Sequence, residues 1–252
     1  MKISIITVCY NSGLTLENAI KSVLVQNYLD IEHIIIDGGS TDGTALILKK
    51  YKGLIAKVVS EPDDGIYDAM NKGIGMATGD AIGILNSDDF YASNDVIKNL
   101  VKAFTKETDM VIGDVAFVDR VNVQKRLRYV SGSGFSPWLM RFGWMPPHPA
   151  TFIRKDVYKV FGRYKTDFAI AADYEFFVRT LVVGCLRTVH TSKVLVIMRD
   201  GGASTGGFKS TLVISREILR ALQENRVYSN PLFVWSRLPV KILWQKLFAR
   251  RS

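Results

Sequence analysis

The sequence predicts an α/β protein: a doubly wound, mostly parallel sheet, then a looser second half and a basic, amphipathic helical tail at the C-terminus. Three observations carry this expectation. Short apolar runs alternate with helix-period patterns through about the first ninety residues, the written form of βαβ units. Polar residues gather immediately after each apolar run, where a parallel sheet would bring them to one edge. The 252 residues, 48% of them hydrophobic, can bury the core of one large domain with an appendage.

Taken in order, Ile3 to Val8 reads as a buried strand; with Met1 and Lys2 it is too short, and too polar at alternate positions, for a signal peptide. A helix is expected from Leu14 to Gln26, with Leu16, Ile20, Val23 and Leu24 on one face. His33 to Asp37 makes a second strand, broken by Gly38-Gly39, and Thr41 to Lys50 a second helix. Ala56 to Ser60, Ile66 to Met76 and Ala81 to Leu85 read as strand, helix and strand. Beyond them come a helix from Asp95 to Phe104, a strand at Met110 to Gly113 and a hairpin through Val115 to Val130. Ser131 to Pro149 is expected to be a loop, because Pro146, Pro147 and Pro149 remove backbone donors and fix φ. Asp156 to Phe161 and Ala172 to Val183 look helical.

Four polar loops, Thr7 to Asn11, Asp37 to Asp42, Glu61 to Asp64 and Asn86 to Asp89, should therefore share one edge and form one cleft. No G-x-G-x-x-G follows a strand, which disfavours a dinucleotide oxidoreductase. Cys9 and Cys185 lie in apolar, strand-like runs, which argues for a reducing compartment and against a disulfide framework. Asp88 and Asp89 directly follow a buried strand, and their hard oxygens suit Mg²⁺ or Mn²⁺; Ser-Asp-Asp there is equally the sequence of a helix N-cap.

Five ordered motifs favour the metal reading: Ile5 to Asn11 (IITVCYN), Ile36 to Thr44 (IDGGSTDGT), Asp64 to Ile74 (DGIYDAMNKGI), Ala77 to Asp80 (ATGD) and Leu85 to Asp89 (LNSDD). Together they resemble an inverting glycosyltransferase of family 2, with the GT-A fold, strongly over residues 2–90 and more faintly to Val183. The resemblance implies transfer of a sugar from a nucleotide-sugar donor, a UDP-sugar by expectation, to an acceptor hydroxyl. It assigns Thr7, Tyr10, Asn11, Asp37 and Ser87 to the nucleotide, and Lys72 to the neighbourhood of its phosphates. A carboxylate such as Asp37 could accept from a uracil imide, and a tyrosine could stack on the base; an Asx turn holding Gly38-Gly39 is the structural alternative for Asp37. Asp88 and Asn86 would hold the Mn²⁺ or Mg²⁺, although Asn86 stands where the family's Asp-x-Asp has its first carboxylate, which removes one charge. Asp173, in Ala171-Ala172-Asp173-Tyr174-Glu175, matches the family's catalytic base, and Glu175 would point about 200° away from it. His148 among its prolines is a weaker candidate. Arg199 to Ser204 resembles a segment that closes over the donor, and His33 and His190 read as structural. The implied division is a GT-A domain over 1–204, with a nucleotide-sugar half (1–113) and an acceptor-side half (114–204), and a basic helical extension over 205–252.

The formal charge of +9 is uneven: from Ala203 to Ser252 nine basic residues stand against Glu217 and Glu224. Pro231 to Ser252 interleaves Trp235, Trp244 and Phe248 with five basic residues and no acidic one. Arg237, Lys241 and Lys246 interrupt the run of about 20 apolar residues that a membrane span requires. The expected partner of this segment is an anionic membrane surface, on the cytoplasmic face, and not nucleic acid. A helix packed on the body or on a second subunit is the alternative, so an oligomer stays open. The implied acceptor is a glycan, free or linked to a polyprenyl diphosphate, in surface polysaccharide synthesis. Two other functions remain to be weighed: a nucleotidyltransferase, whose basic glycine-rich loop is missing from Tyr10-Asn11-Ser12-Gly13, and a non-catalytic nucleotide-sugar binder, which Asn86 leaves open.

Overall fold

The computed structural model describes residues 1–201 and 207–248, with the backbone alone for Phe208 and residues 241–248. Strands β1 (Ile3–Cys9), β2 (Ile31–Asp37), β3 (Lys57–Ser60) and β4 (Ala81–Ile84) alternate with helices α1 (Leu16–Leu24), α2 (Thr44–Lys50) and α3 (Ile66–Met76). The chain builds outward from β1 through β2 to β3, then returns to place β4 on the other flank of β1, all in parallel. That reversal puts a switch point between β1 and β4, where the loops diverge and leave a crevice. Strands β1, β2 and β4 are buried on both faces, which is why they read as continuous apolar runs, while β3 at the edge alternates half-buried and exposed residues.

The second half contributes β5 (Phe90–Tyr91), α4 (Val96–Ala103), β6 (Met110–Val118), β7 (Arg126–Val130), β8 (Thr151–Arg154), α5 (Lys155–Phe161), α6 (Ala172–Phe177) and β9 (Thr188–Arg199). Helices α7 (Phe208–Glu224) and α8 (Pro231–Phe248) follow. Among the described residues the sheet order is β3-β2-β1-β4-β8-β6-β9-β5, with β7 on β6. Strand β8 is antiparallel to both β4 and β6, while β6 and β9 are parallel. Close packing at the seam requires Gly83: a Cβ there would meet the Phe152 ring at 2.2 Å. On one face, Ile6, Val8, Ile34 and Ile36 pack under α3, α6 and α7 through Met70, Phe176 and Leu222. On the other face, Ile5, Phe152 and Val111 pack against α1 and α4 through Val23 and Leu100.

Several second-half expectations change. The strand expected at 110–113 does not stop; β6 continues to Val118 and is itself one arm of the hairpin, so it runs through the division drawn at 113 and 114. The proline-rich stretch holds two short 3-10 turns, Pro137–Phe142 and His148–Ala150. Strand β8 is only four residues long, and β9 is half polar and half-exposed over its first part, so neither carries a clean period. Cys9 lies in β1 as expected, but Cys185 is exposed, at φ 51°, in the turn after a π-helical Val178–Val183. The apolar residues before Cys185 belong to that helix.

A buried carboxylate ties the amino ends of the parallel strands together. Glu32 on β2 accepts the Ser4 hydroxyl of β1 at 2.7 Å, and the Thr78 amide and hydroxyl before β4 at 2.7 and 2.8 Å. The Lys2 and Lys57 ammonium groups lie at 3.5 and 3.4 Å. Burial raises the Glu32 pKa, but the Ser4 and Thr78 donors and Lys2 outweigh it and bring it to about 2. A carboxyl lowered in the folded state contributes stability that is present above its ordinary value near 4.5 and is lost as the pH falls towards about 2. Glu32→Ala should therefore lower unfolding free energy at neutral pH by about 1–3 kcal/mol. Urea unfolding between pH 7 and pH 2 should show the variant losing less stability than wild type across the acid window.

Candidate functional site

A cleft of about 1600 Å³ opens over the carboxyl ends of β1, β2 and β4. Its floor comes from the loops after those strands, one wall from the β6–β7 hairpin and Met198 to Gly201, and the other from Met145 to Pro149 and Ala169 to Asp173.

After β1 the chain turns at Asn11, which sits in the left-handed region at φ 49°, a conformation asparagine tolerates better than most residues. Its amide donates to Ser40 Oγ at 2.8 Å, and its side-chain oxygen accepts from Thr41 N–H at 2.9 Å, so the first two loops brace each other. Tyr10 then stands 64% exposed in the cleft. Ser87 lines the floor, its hydroxyl 2.8 Å from that of Ser12. Of the residues assigned to the nucleotide, Tyr10, Asn11 and Ser87 reach the cleft.

Thr7, Asp37 and Lys72 do not line it. Strand alternation turns Thr7 inward, where its hydroxyl meets His33 Nε2 at 3.0 Å. Asp37 is fully buried, and its carboxylate accepts the Ser40 hydroxyl, the Ser60 hydroxyl at 2.6 Å and the Ser40 amide at 3.3 Å. It is the Asx-type pin of the Gly38-Gly39 turn, the structural alternative. Lys72 is held on α3 by Glu61 at 3.0 Å and Asp68 at 3.2 Å, pairings that raise its pKa.

At the position expected to hold a metal, Asn86 and Asp88 line the cleft and Asp89 does not. Asp89 is buried beside Asn86 Nδ2 at 3.3 Å, and its pKa is driven well above the ordinary value by burial and then by Asp88. Asn86 Oδ1 is buried with no hydrogen-bond partner. Among the described residues no group of three or more His, Cys, Asp or Glu side chains has metal-binding spacing. The residues at hand thus offer one carboxylate and one unpartnered amide oxygen, a hard-oxygen pair that fits Mg²⁺ or Mn²⁺ if the donor's diphosphate supplies further ligands.

Asp173, at the start of α6, lines the opposite wall half-buried. Burial raises its pKa; His148 and the Tyr174 amide at 2.8 Å partly offset this. His148 is buried in the same wall, with Nε2 2.9 Å from the Tyr164 hydroxyl, and desolvation lowers its pKa. Glu175 faces away, buried between Arg179 at 2.8 Å and Lys165 at 3.2 Å. His33 and His190 are structural, the latter 2.8 Å from Asp114.

Three residues of the site escaped the sequence reading of individual side chains. Tyr67 of α3 lies inside a quoted motif, and its hydroxyl sits between the Ile170 carbonyl and Asp173 Oδ1, the latter at 3.4 Å. Arg199, at the end of β9, donates to the Asp88 carbonyl and lines the cleft. Arg120, from the hairpin tip, lines it too. Of the closing segment expected at 199–204, Arg199 to Gly201 line the cleft, and Gly202 to Ser204 lie outside the described residues.

A parallel half and a mixed half sharing one sheet, with a polar cleft over the switch point, are the architecture of the GT-A fold. The chain belongs to glycosyl transferase family 2, whose profile matches residues 4–167. An uncharacterized glycosyltransferase of Mycobacterium tuberculosis is 36% identical over 186 residues, 72% of this chain and 69% of its own length. The PGL/p-HBAD biosynthesis glycosyltransferase of Mycobacterium bovis BCG is 28% identical over 225 residues, 87% of this chain and 83% of its own. S. aureus TarS 1-349 in complex with UDP-GlcNAc superposes with a TM-score of 0.67 at 17% identity, over 88% of this chain and 66% of that one. The mannosyltransferase PcManGT of Pyrobaculum calidifontis, with GDP-Man and Mn²⁺, gives 0.65 at 18% identity, over 98% of this chain and 69% of its own. The chain therefore spans just under two thirds of the TarS 1-349 structure.

Tyr67→Phe tests the assembly of the wall that carries Asp173. The phenol is held protonated by burial and by the nearby Asp173 charge, and its hydrogen bond lowers the Asp173 pKa. Removing it should raise that pKa, so the Asp173 carboxyl, followed by NMR against pH, should titrate at higher pH than in wild type.

Proposed function

We propose that this chain is a metal-dependent, inverting glycosyltransferase that moves a sugar from a UDP-sugar to an acceptor hydroxyl, with Asp173 as the base. The observation that carries the reading is Asp173 itself, a cleft carboxylate with a burial-raised pKa across from the Asn86–Asp88 loop. A base is most effective when its pKa approaches the working pH, and an inverting displacement needs a single one. The acceptor oxygen would bond to the anomeric carbon as its proton passes to an Asp173 carboxylate oxygen. The bond from that carbon to the diphosphate breaks with its electron pair on the leaving oxygen. Arg199 and Arg120 are positioned to offset the charge that develops there. Mn²⁺ or Mg²⁺, held by Asp88 and the free amide oxygen of Asn86, would supply further electrostatic stabilisation of the leaving diphosphate.

The test is nucleotide release from a panel of donors, with and without Mn²⁺. Asp173→Asn should preserve nucleotide binding and lower kcat by about 10²–10⁴-fold. Asp88→Asn should lower turnover by about 10²-fold. Undiminished turnover by Asp173→Asn overturns the assignment of the base, and a rate indifferent to chelator overturns the metal.

The acceptor we propose is a glycan on a polyprenyl diphosphate, met at the cytoplasmic surface of an anionic membrane. No helix of the described residues is long and apolar enough to cross a bilayer. The start of α8 is docked on the body, with Phe233 stacked on Phe142 at 4.7 Å and Val234 fully buried. Leu232, Trp235 and Tyr228 remain exposed, apolar and aromatic surface in the stretch of sequence that runs into the basic residues of Pro231 to Ser252. Such a surface suits the headgroup region, where each Lys or Arg contributes about 1 kcal/mol. Truncation after Val240 keeps the docked part. It should reduce flotation on anionic liposomes while leaving transfer to a short soluble acceptor; unchanged flotation would make the tail a packing or subunit contact.

A further inference from the structure

We propose that Asp63, in the loop after β3, and not Asp37, reads the nucleobase, accepting a ring N–H of uracil, thymine or guanine. The inference rests on the reading of the cleft as a nucleotide-sugar site. It begins from the fact that Asp37 has nothing left to offer. That carboxylate is fully buried, and both of its oxygens accept from Ser40 and Ser60. Rotating it towards a ligand would break the hydrogen bonds from half-buried Ser40 and from Ser60 that hold the turn, and would offset what a base contact returns.

The space beside it is taken differently. Gly38 and Gly39 follow β2 and place no side chain in the cleft, and Gly39 turns at φ 79°. A Cβ on Gly38 would lie 2.5 Å from Oδ2 of Asp63, nearer than two such atoms can stand. The Asp63 carboxylate therefore fills the room that a side chain at position 38 would need, and the glycine is what admits it. Oδ1 of Asp63 accepts the Gly65 amide at 3.0 Å, which fixes the group's orientation. Among the described residues Oδ2 has no hydrogen-bond donor and no cation pairs with Asp63, although it is half-buried in the cleft wall.

The surrounding chemistry favours a base and not a phosphate at this end. Asp37, Asp42 and Asp63 together help hold the neighbouring Cys9 thiol protonated, after burial, so the local field is negative. A diphosphate would be repelled here, whereas the two cleft arginines, Arg120 and Arg199, stand with the hairpin and β9. A polarised ring N–H would be attracted. Tyr10, exposed on the same floor, offers a face for stacking. A carboxylate accepts only, so it matches the ring N–H of uracil, thymine and guanine, and it opposes the ring nitrogen lone pair that cytosine presents in that place.

Calorimetric titration of the whole chain with UDP, GDP and CDP, in Mn²⁺ and without sugar transfer, tests this. Wild type should bind UDP or GDP at least about 10-fold more tightly than CDP. Asp63→Asn should weaken the preferred nucleotide by about 10- to 100-fold and narrow the margin over CDP, because an amide can also donate to cytosine. Gly38→Ala should weaken it as well, by displacing an unaltered Asp63, and serves if the first variant melts early. A wild-type base ranking retained in folded Asp63→Asn, or undiminished affinity in Gly38→Ala, overturns the assignment alone. Wild-type chain that binds none of the three overturns the nucleotide reading and this inference with it.

Discussion

The site depends on parallel strands ending level with one another, and that register is enforced from the opposite edge of the sheet by one carboxylate. Glu32 gathers donors from β1 and from the turn into β4, and the Ser4 hydroxyl in turn accepts the Gly79 amide at 2.9 Å. With those amino ends locked, Cys9 pairs with Asp37, and Asp37 with Ser60. The loops that follow must then emerge together. A slip of one residue would exchange the two faces of a strand buried on both sides, so the register tolerates little error.

From that common edge the polar side chains divide into two roles. Some are consumed in building the loops: Asp37 pins its own turn, Asn11 braces the first loop on the second, and Asp89 is buried under Asn86. Others are left over, and these face the cleft: Tyr10, Asp63, Asn86, Asp88 and, from the second half, Asp173 and Arg199. The internal hydrogen bonds of the first group are what keep the second group in place. Buried polar groups are costly unless satisfied, and among the described residues Asn86 Oδ1 is the one buried side-chain oxygen without a partner, beside two nitrogens, His33 Nδ1 and Arg237 Nε.

The wall that carries Asp173 is assembled across long sequence distances. Tyr67 of α3 reaches the backbone at Ile170, and Glu217 of α7 accepts three successive amides, Ala169 at 2.6 Å, Ile170 at 2.9 Å and Ala171 at 2.8 Å. Asp173 is thus presented by a segment anchored at both sides. The basic tail that α7 leads into is part of the molecule's framework as well as a surface, since Arg237 reaches the Ser215 hydroxyl at 3.1 Å.

By itself the sequence determined the α/β alternation of the first ninety residues, because fully buried parallel strands must be written as apolar runs closed by polar turns. The family followed from its ordered motifs, as did the roles of Asn86, Asp88 and Asp173 as candidates facing one cleft. It could not separate the two duties an acidic residue can have in such a motif. Asp37 and Asp63 look equally available on paper, and only packing reveals that serines saturate one while Gly38 makes room for the other. Nor could it expose β8, β9 or Tyr67 as parts of the site, or single out the Arg199 side chain within the segment expected to close over it. Their positions are set by partners far along the chain, 103 residues away for Tyr67 and Ile170 and 111 for Arg199 and Asp88, and a contact between distant segments leaves no period in either one.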